Sequence, residues 1–465
     1  MLKLLENKKM NLLMWEKVQL VDKILALEIE MQKLKEESGK VKEENTKLRE
    51  LLKRNSKNSS SPPSKDKKKE SKATGKPLGS PKGHKGGTKV DFGAPDKIVI
   101  IEPPKVCPYC QKEIEQKNVV KKRFQAVAEL MEKPIEITEY IYEDGKCPHC
   151  KKDIKAETPI NIIPKEQYGP RLQAWLDELR GYGHLSGKKL VKVCKTFNIA
   201  ITQGTLNNQL KKLNKALTLP IIELKEWLKK RDFVHMDETG WRKRWMWTVA
   251  TKLTSLLEVR DTRGAKEVEE LIGKDYNGVI ICDRAKCYLK KYKRQLCWSH
   301  LKRDTQACAE TKLESDKKFA KRMSKYVSEI YHPPEQKENT TPLPDKVKIF
   351  LKREWNAPPK KKTKTKAKTL RNELLKEWEN LWRFISNFDI PPDNNEAERT
   401  LRLSVTHRKV CGASRTIWGA EAISKLFSVI QTCNKQNRSV LDFIKHSLLA
   451  YAHPHLIQPS LLPYP

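Results

Sequence analysis

The sequence predicts a multidomain α/β protein, and three observations carry that expectation. Its 465 residues allow about three domains at roughly 150 residues each. The composition shifts abruptly along the chain, from heptads to a Ser/Pro/Lys-rich stretch and then to paired cysteines. Between residues 226 and 303, short apolar runs and one amphipathic segment alternate as in a sheet covered by helices. Charge narrows the function before any motif does. With 94 Lys plus Arg against 58 Asp plus Glu, the formal charge of +36 points to a polyanionic partner, nucleic acid above all. No apolar run reaches the roughly 18 residues that span a bilayer, and MLKLLENKKMNLLMWEK is broken by charges. Membrane and secreted classes are therefore set aside. The 11 cysteines of so long and basic a chain read as metal ligands and buried thiols.

Residues 1–52 read as a dimerisation helix. Leu20, Leu27, Leu34, Val41 and Leu48 recur every seven residues, and Ile24, Met31, Ser38, Asn45 and Leu52 fill the interleaved seam. That a/d pattern predicts a homodimerising, leucine-zipper-like coiled coil, with Asn45 placed to fix register. A long amphipathic helix packed on its own protein is the alternative, and Ser38 and Gly39 weaken the middle of the seam. Residues 53–97 read as a disordered basic linker; within it, residues 53–89 carry 12 basic against 2 acidic side chains and have little to bury.

Residues 98–165 read as a zinc ribbon-like element. CPYC (Cys107, Cys110) and CPHC (Cys147, Cys150) bracket the alternating strand signal IEITEYIYEDGKC. Two such knuckles after strands can converge four thiolates on one tetrahedral Zn²⁺, and two separate pairs suit a redox exchange less well. Residues 166–225 look helical. SGKKLVKVCKTFNIAITQGTLNNQLKKLN holds a helix, a turn around Asn198–Ile201 and a second helix from about Thr202. This is helix-turn-helix length, with Thr205, Asn207, Asn208 and Lys211 available to DNA; a helical hairpin that binds nothing has the same pattern.

Residues 226–303 predict the first part of a catalytic core. RDFVHMDETGW places Asp237 at the end of a short strand, Phe233 to Met236. WMWTVAT and SLLEVRD supply two more strands, AKEVEELIGK a helix, NGVIICD a buried strand ending in Asp283, and QLCWSH a fifth strand ending near Cys297 or Trp298. Three strands, helix, strand, helix, strand is the order of the ribonuclease-H-like fold. There Asp237 and Asp283 end neighbouring strands, where α/β sheets place chemistry. Residues 391–445 would return to the core with a third carboxylate. In DNNEAERTLR, Asp393 reads as an N-cap, and Glu396 and Glu398 both fall in the first turns. Glu398 is favoured because it lies nearer the apolar face marked by Leu401 and Val405. Each acid alone is more often a cap or a salt-bridge partner; three together in this topology suit Mg²⁺ or Mn²⁺, and two such ions can clamp an in-line phosphoryl displacement.

Residues 304–390 are too long for a simple connection and read as a helical basic insertion. KKKTKTKAK, from Lys360, Lys361 and Lys362 to Lys368, is either a clamp on DNA or a solvated surface. Trp298 and His300 lie close in sequence to the active edge, where His300 can meet the scissile phosphate or be a structural histidine. Arg399 and Arg402 flank the third carboxylate and suit DNA phosphates. Residues 446–465 read as a C-terminal tail. No G-x-x-x-x-G-K-[ST] loop is present, so nothing points to ATP.

HMDETGW, CDRAKCY, QLCWSHLKRD and PPDNNEAERTLRLSVTHRKV resemble the DDE transposases of the insertion-sequence 66 family. The heptads, SSSPPS, GHKGGTK before the first knuckle and the LLP ending follow that family's order, so the resemblance covers nearly the whole chain. It implies that Asp237, Asp283 and Glu398 bind Mg²⁺ or Mn²⁺ and that the four cysteines form a zinc finger. It also implies that the DNA substrate is the inverted-repeat ends of the element, joined into double-stranded target DNA. The expected setting is the bacterial cytoplasm, nucleoid-associated, as a homodimer or higher oligomer, with accessory proteins of the same element. No triad position departs from the pattern, whereas the insertion is unusually Lys-rich. Two other readings stand beside it: a non-catalytic zinc-containing DNA-binding regulator, and a metal-dependent nuclease without strand transfer.

Overall fold

The computed structural model describes residues 153–288, 291–333, 341–353 and 365–463 continuously. Before them it describes residues 29–32, 34, 36–37, 94, 96–99, 106, 109–113, 134–146 and 148–150. Of the heptad positions, only Met31 and Leu34 fall among these; both are helical and exposed. The rest of the seam, the basic stretch 53–89 and Lys360–Lys362 lie outside the described residues.

Each cysteine knuckle sits inside an antiparallel pair. Val106 bridges Glu113 around the CPYC turn. Strand β1 (Gly145–Lys146) pairs with β2 (Asp153–Ile154) around CPHC. Cys110 and Cys150 are exposed, while Cys107 and Cys147 lie outside the described residues.

Three helices follow: α1 (Pro170–Gly181), α2 (Gly187–Thr196) and α3 (Gln203–Ala216). They close on their own small core of Leu176, Leu190, Cys194, Ile201 and Leu206. The turn between α2 and α3 is built from specific chemistry. Asn198 takes φ +57°, Asn198 N donates to Lys195 O (3.1 Å) and Ile199 N to Cys194 O (2.9 Å), the paired bonds that stop a helix with a left-handed residue. Thr202 then caps α3, its Oγ1 accepting from Thr205 N at 3.1 Å.

After α4 (Thr218–Leu228) comes a five-stranded sheet: β3 (Phe233–Trp241), β4 (Arg244–Ala250), β5 (Ser255–Arg260), β6 (Val279–Cys282) and β7 (Lys293–Leu296). Their spatial order is β5-β4-β3-β6-β7; β3, β4 and β5 form an antiparallel meander, and β6 and β7 add in parallel to β3. Helix α5 (Ala265–Ile272) makes the crossover from β5 to β6. Two sequence expectations are corrected here. Strand β3 does not stop at Met236; it runs on to Trp241 because its hairpin with β4 stays paired to Trp241↔Arg244. Asp237 is nonetheless beyond the parallel pairing with β6, which ends at His235↔Ile281. Among the described residues, no helix separates β6 from β7; turns fill that stretch.

Both sheet edges are covered, which matters because an open strand edge invites foreign pairing. On the β5 side, α12 (Asn395–Cys411) is followed by α13 (Ile417–Lys435), whose Thr432 and Ser428 hydroxyls accept from Ser255 N (3.0 Å) and Leu257 N (2.8 Å). The β7 side is closed by the helices between β7 and α12. These are α6 (Trp298–Ala309), α7 (Glu314–Tyr331), α8 (Leu343–Lys352), α9 (Lys366–Lys376), α10 (Trp378–Leu381) and α11 (Arg383–Ser386). Gln295 Nε2 donates to Leu381 O (3.1 Å) and its Oε1 accepts from Phe384 N (3.1 Å), so β7 is stitched to α10 and α11. Phe319, Met323, Phe350 and Leu374 of these helices belong to the same buried cluster as Trp247, Ile280 and Phe427. The last helix, α14 (Val440–Ala452), extends past residue 446, so the tail begins only after it. Leu461 of that tail is fully buried.

Candidate active site

Successive side chains of a strand point to opposite faces, so Asp237 shares the face of His235 and Glu238 takes the other. The His235 face meets the start of α12. There Asn394, fully buried, spends its side chain across the sheet rather than on its own helix. Its Nδ2 donates to Met236 O at 2.7 Å, leaving Oδ1 to accept from His235 Nδ1 at 3.1 Å. His235 is thereby held as the Nδ1–H tautomer, and burial lowers its pKa to about 4. Asn394 N also donates to Cys297 Sγ (3.1 Å), and Trp298 N to Pro392 O (2.9 Å). These bonds fix the N-terminus of α12 between the His235–Met236 part of β3 and the end of β7. Asn394, not Asp393, is the N-cap. Asp393 stands one residue earlier, and its Oδ1 accepts from Asn395 N at 3.1 Å.

Asn394→Ala is expected to cost about 2–4 kcal/mol of stability, since it strands the Met236 carbonyl and the His235 ring N–H in a buried place. Urea denaturation measures it. A loss below about 0.5 kcal/mol would mean that water replaces both bonds.

The fixed helix delivers its two glutamates to different places. Glu396 is bound to Lys435 Nζ (2.8 Å) and Arg399 Nη2 (2.5 Å). Glu398 meets α6 instead. Arg303 Nη2 donates to its two carboxylate oxygens at 3.1 and 3.0 Å, and His300 Nδ1 is 3.6 Å from its Oε1. Burial and the neighbouring Arg303 charge lower the pKa of His300, so the ring is neutral.

Asp283 follows β6 directly, and its Oδ1 accepts from Ala285 N at 2.7 Å. Asp237 accepts from Glu238 N at 2.9 Å. The pKa of Asp237 is raised well above the usual carboxylate value, first by burial, then by the charges of Glu238 and Asp283, with Glu398 adding to them. Glu238 is raised for the same first reasons, burial and then Asp283, although Arg263 Nε (2.5 Å) and the Tyr288 hydroxyl (2.9 Å) both donate to it. Arg263 also reaches Asp283 at 4.0 Å. The charges of Glu238, Asp283 and Glu398 thus all bear on Asp237, from β3, the residue after β6 and α12.

Such mutual repulsion is relieved by a cation, and hard carboxylate oxygens suit a hard divalent ion. A second donor set, Cys297, His300 and Glu398, has its ligand atoms within 4.8 Å of one another. Burial pushes the Cys297 thiol up to about 12, so it is protonated in the metal-free chain.

The other sequence candidates lie elsewhere. Trp298 does not face the acids: it is fully buried, donates from Nε1 to Leu381 O (2.8 Å) and packs at a tilt of 60° against Trp382, ring centroids 4.9 Å apart. The Thr205 hydroxyl is taken up at 2.9 Å from that of Thr202. Lys211 lies over the Trp418 ring at 5.2 Å, while Asn207, Asn208 and Arg402 are exposed. Glu238, Arg263, Tyr288, Arg303 and Asn394 were missed. Glu238 adjoins Asp237 in HMDETGW, and Arg303 stands one helical turn past His300 in SHLKRD, so both signals were present in the sequence.

A mixed α/β chain with a five-stranded sheet and many helices is consistent with a DDE transposase domain. Residues 165–422 match the family described as Transposase IS66 family, more than half of the chain. The chain belongs to that family. No curated protein matches it. Among the described residues, no helix is long and apolar enough to cross a membrane.

Proposed function

We propose that the chain is a DNA transposase with a ribonuclease-H-like core, which binds the terminal inverted repeats of its insertion sequence and carries out metal-dependent 3′-end cleavage and strand transfer. The carrying observation is that the charges of Asp283, which follows the neighbouring strand, and of Glu398 on α12 both bear on buried Asp237, in a chain of this family. The sheet order with a central β3, antiparallel on one side and parallel on the other, supports the core assignment.

Asp237, Asp283 and Glu398 would hold Mg²⁺ or Mn²⁺. Bound there, the cation supplies Lewis-acid polarisation of phosphoryl oxygens and an attacking oxygen at neutral pH. Cleavage joins a water oxygen to phosphorus as the bond to the 3′ oxygen breaks, leaving a 3′-hydroxyl on the element and a 5′-phosphate on the flank. Transfer joins that hydroxyl to a target phosphorus while a target 3′ oxygen departs. Each step exchanges like bonds, so no nucleotide is consumed. Arg303 fixes the orientation of the Glu398 carboxylate through its two bonds, and His300, 3.6 Å from the same carboxylate, would be the auxiliary group beside the bound phosphate. Arg399 and Arg402 offer charge on the outer side of α12.

Asn207 and Asn208 read DNA from the exposed part of α3, with Thr205 and Lys211 steadying that helix, and Lys360, Lys361 and Lys362 grip the backbone. Heptads 1–52 bring two or more copies together, and accessory proteins of the element join them in the bacterial cytoplasm, at the nucleoid. Cys107, Cys110, Cys147 and Cys150 hold structural zinc, a reading supported by the antiparallel pair around each knuckle. The purified chain is expected to carry one zinc by metal analysis and to lose it in Cys110→Ser and Cys150→Ser. A zinc-free wild-type chain would contradict this.

The test of the function is incubation with Mg²⁺ and a duplex carrying one element end, with the element's accessory proteins added. A nick that exposes a 3′-hydroxyl at the end is expected. Binding without any metal-dependent cut would turn the reading toward a DNA-binding regulator.

A further inference from the structure

Helix α7 buries one face and charges the other. Phe319, Ala320, Met323, Tyr326 and Val327 enter the core, while Lys317, Lys318, Lys321, Arg322 and Lys325 are exposed. At 100° per residue these five fall on an arc of about 140°. Between Glu314 and Glu329 that arc carries no acid.

Ordinary solvated helices intersperse the two signs, because like charges four residues apart repel. Here three such pairs stack: Lys317/Lys321, Lys318/Arg322 and Lys321/Lys325. The described contacts offer little relief: Lys317 meets Glu314 at 3.6 Å and Arg322 Nε donates to the Tyr326 hydroxyl at 3.0 Å. A surface that repels itself is stabilised by a polyanion laid along it.

The helix also has a definite direction. Its last residue, Tyr331, returns to the start of α6, its hydroxyl 3.0 Å from the Ser299 hydroxyl. Ser299 precedes His300, which faces Glu398. At 1.5 Å rise per residue, the cations begin about 9 Å from Tyr331 at Lys325 and end about 21 Å from it at Lys317. The row therefore leads away from the His300–Glu398 end over about 12 Å, the axial span of roughly three to four phosphates on one strand.

We propose that Lys317, Lys318, Lys321, Arg322 and Lys325 form a track for the sugar-phosphate backbone of duplex DNA running out from that end, gripping it without regard to sequence. Lysines on flexible stems make point contacts to phosphate and carry no base readout. The track rests on the transposase reading, which supplies duplex DNA at the proposed metal site, and adds a surface distinct from α3 and from the Lys360–Lys362 stretch.

The test uses the full chain and the triple variant Lys318→Gln, Lys321→Gln, Lys325→Gln, which keeps the Lys317 and Arg322 contacts. Binding to a 30–40-base-pair duplex of unrelated sequence is followed by fluorescence polarisation from about 50 to 200 mM salt. The expected result is a salt slope smaller by about 2 to 3 and an affinity lower by about 10- to 100-fold near 100 mM salt. A control set on exposed lysines elsewhere, Lys230→Gln, Lys252→Gln, Lys274→Gln, should match the wild type. A triple variant with wild-type slope and affinity overturns the track and leaves the transposase reading standing. Equal losses in the control set also overturn it, since any lysines would then serve. A wild-type chain that binds no duplex at 50 mM salt fails the transposase reading itself.

Discussion

Asp237→Asn is expected to lower metal-dependent cleavage of end-bearing DNA by about three orders of magnitude or more, with duplex binding unchanged. The substitution keeps the shape and the bond from Glu238 N, and removes only the charge. Asp283→Asn and Glu398→Gln should behave alike, because the proposed metal site takes one carboxylate from each. Glu396→Gln is the informative contrast: its carboxylate is committed to Lys435 and Arg399, so its activity should stay within about threefold of wild type. Stability gives an independent reading. Burial and neighbouring acids already disfavour the Asp237 charge, so its removal should leave the metal-free chain at least as resistant to heat as wild type. A marked loss of stability would instead identify Asp237 as a structural group.

The second large effect is the coupling of divalent cation, pH and stability. Asp237 and Glu238 have folded-state pKa values above their ordinary ones. A carboxyl raised in this way favours folding fully below its ordinary pKa, and that contribution is lost as pH rises through the raised value. From about pH 4 upward the cluster therefore increasingly opposes folding, and a bound cation offsets that repulsion. The rise in melting temperature on adding Mg²⁺ should accordingly be small near pH 5 and grow toward pH 8. At 100 times its Kd, the ion would contribute about 2.7 kcal/mol. Asp237→Asn should flatten this dependence. A Mg²⁺ effect that is equal at both pH values, or unchanged in the variant, would place the ion elsewhere. The buried histidines act with the opposite sign. His235 and His407 are lowered to about 4, so the stability they allow is present above their ordinary 6.5 and is lost as pH falls toward 4. The difference between scans with and without Mg²⁺ removes their contribution.

Much of the fold was legible because local and global preferences agree. The apolar run Phe233–Met236, WMWTVAT, the amphipathic AKEVEELIGK and the apolar NGVIIC all fall in the elements expected of them. The α2–α3 turn was placed correctly because Asn198 and Thr202 carry stop and start chemistry in their own side chains. The end of β3 was not legible. It depends on which neighbour pairs with it, and the β4 hairpin continues where β6 has already stopped. The preference for Glu398 over Glu396 could be argued from helical facing, but the partners that separate them, Arg303 and Lys435, lie 95 residues before the one and 39 after the other. The same distance hid Asn394. Its sequence context suggests a cap, and only the fold shows its amide reaching the β3 backbone 158 residues away. The facing of Trp298 was hidden for a related reason: nearness in sequence to the expected active edge says nothing about facing, and its indole turns into the helices that close β7.

The central claim is that one carboxylate cluster both cuts and joins DNA. The direct measurement supplies pre-cleaved ends bearing a free 3′-hydroxyl, a supercoiled target plasmid, Mg²⁺ and the accessory proteins of the element, and counts joined molecules. Covalent joining that disappears in Asp237→Asn, Asp283→Asn and Glu398→Gln, and persists in Glu396→Gln, is the result predicted. Hydrolysis of DNA with no joined product, or joining that survives the loss of Asp237, would contradict it.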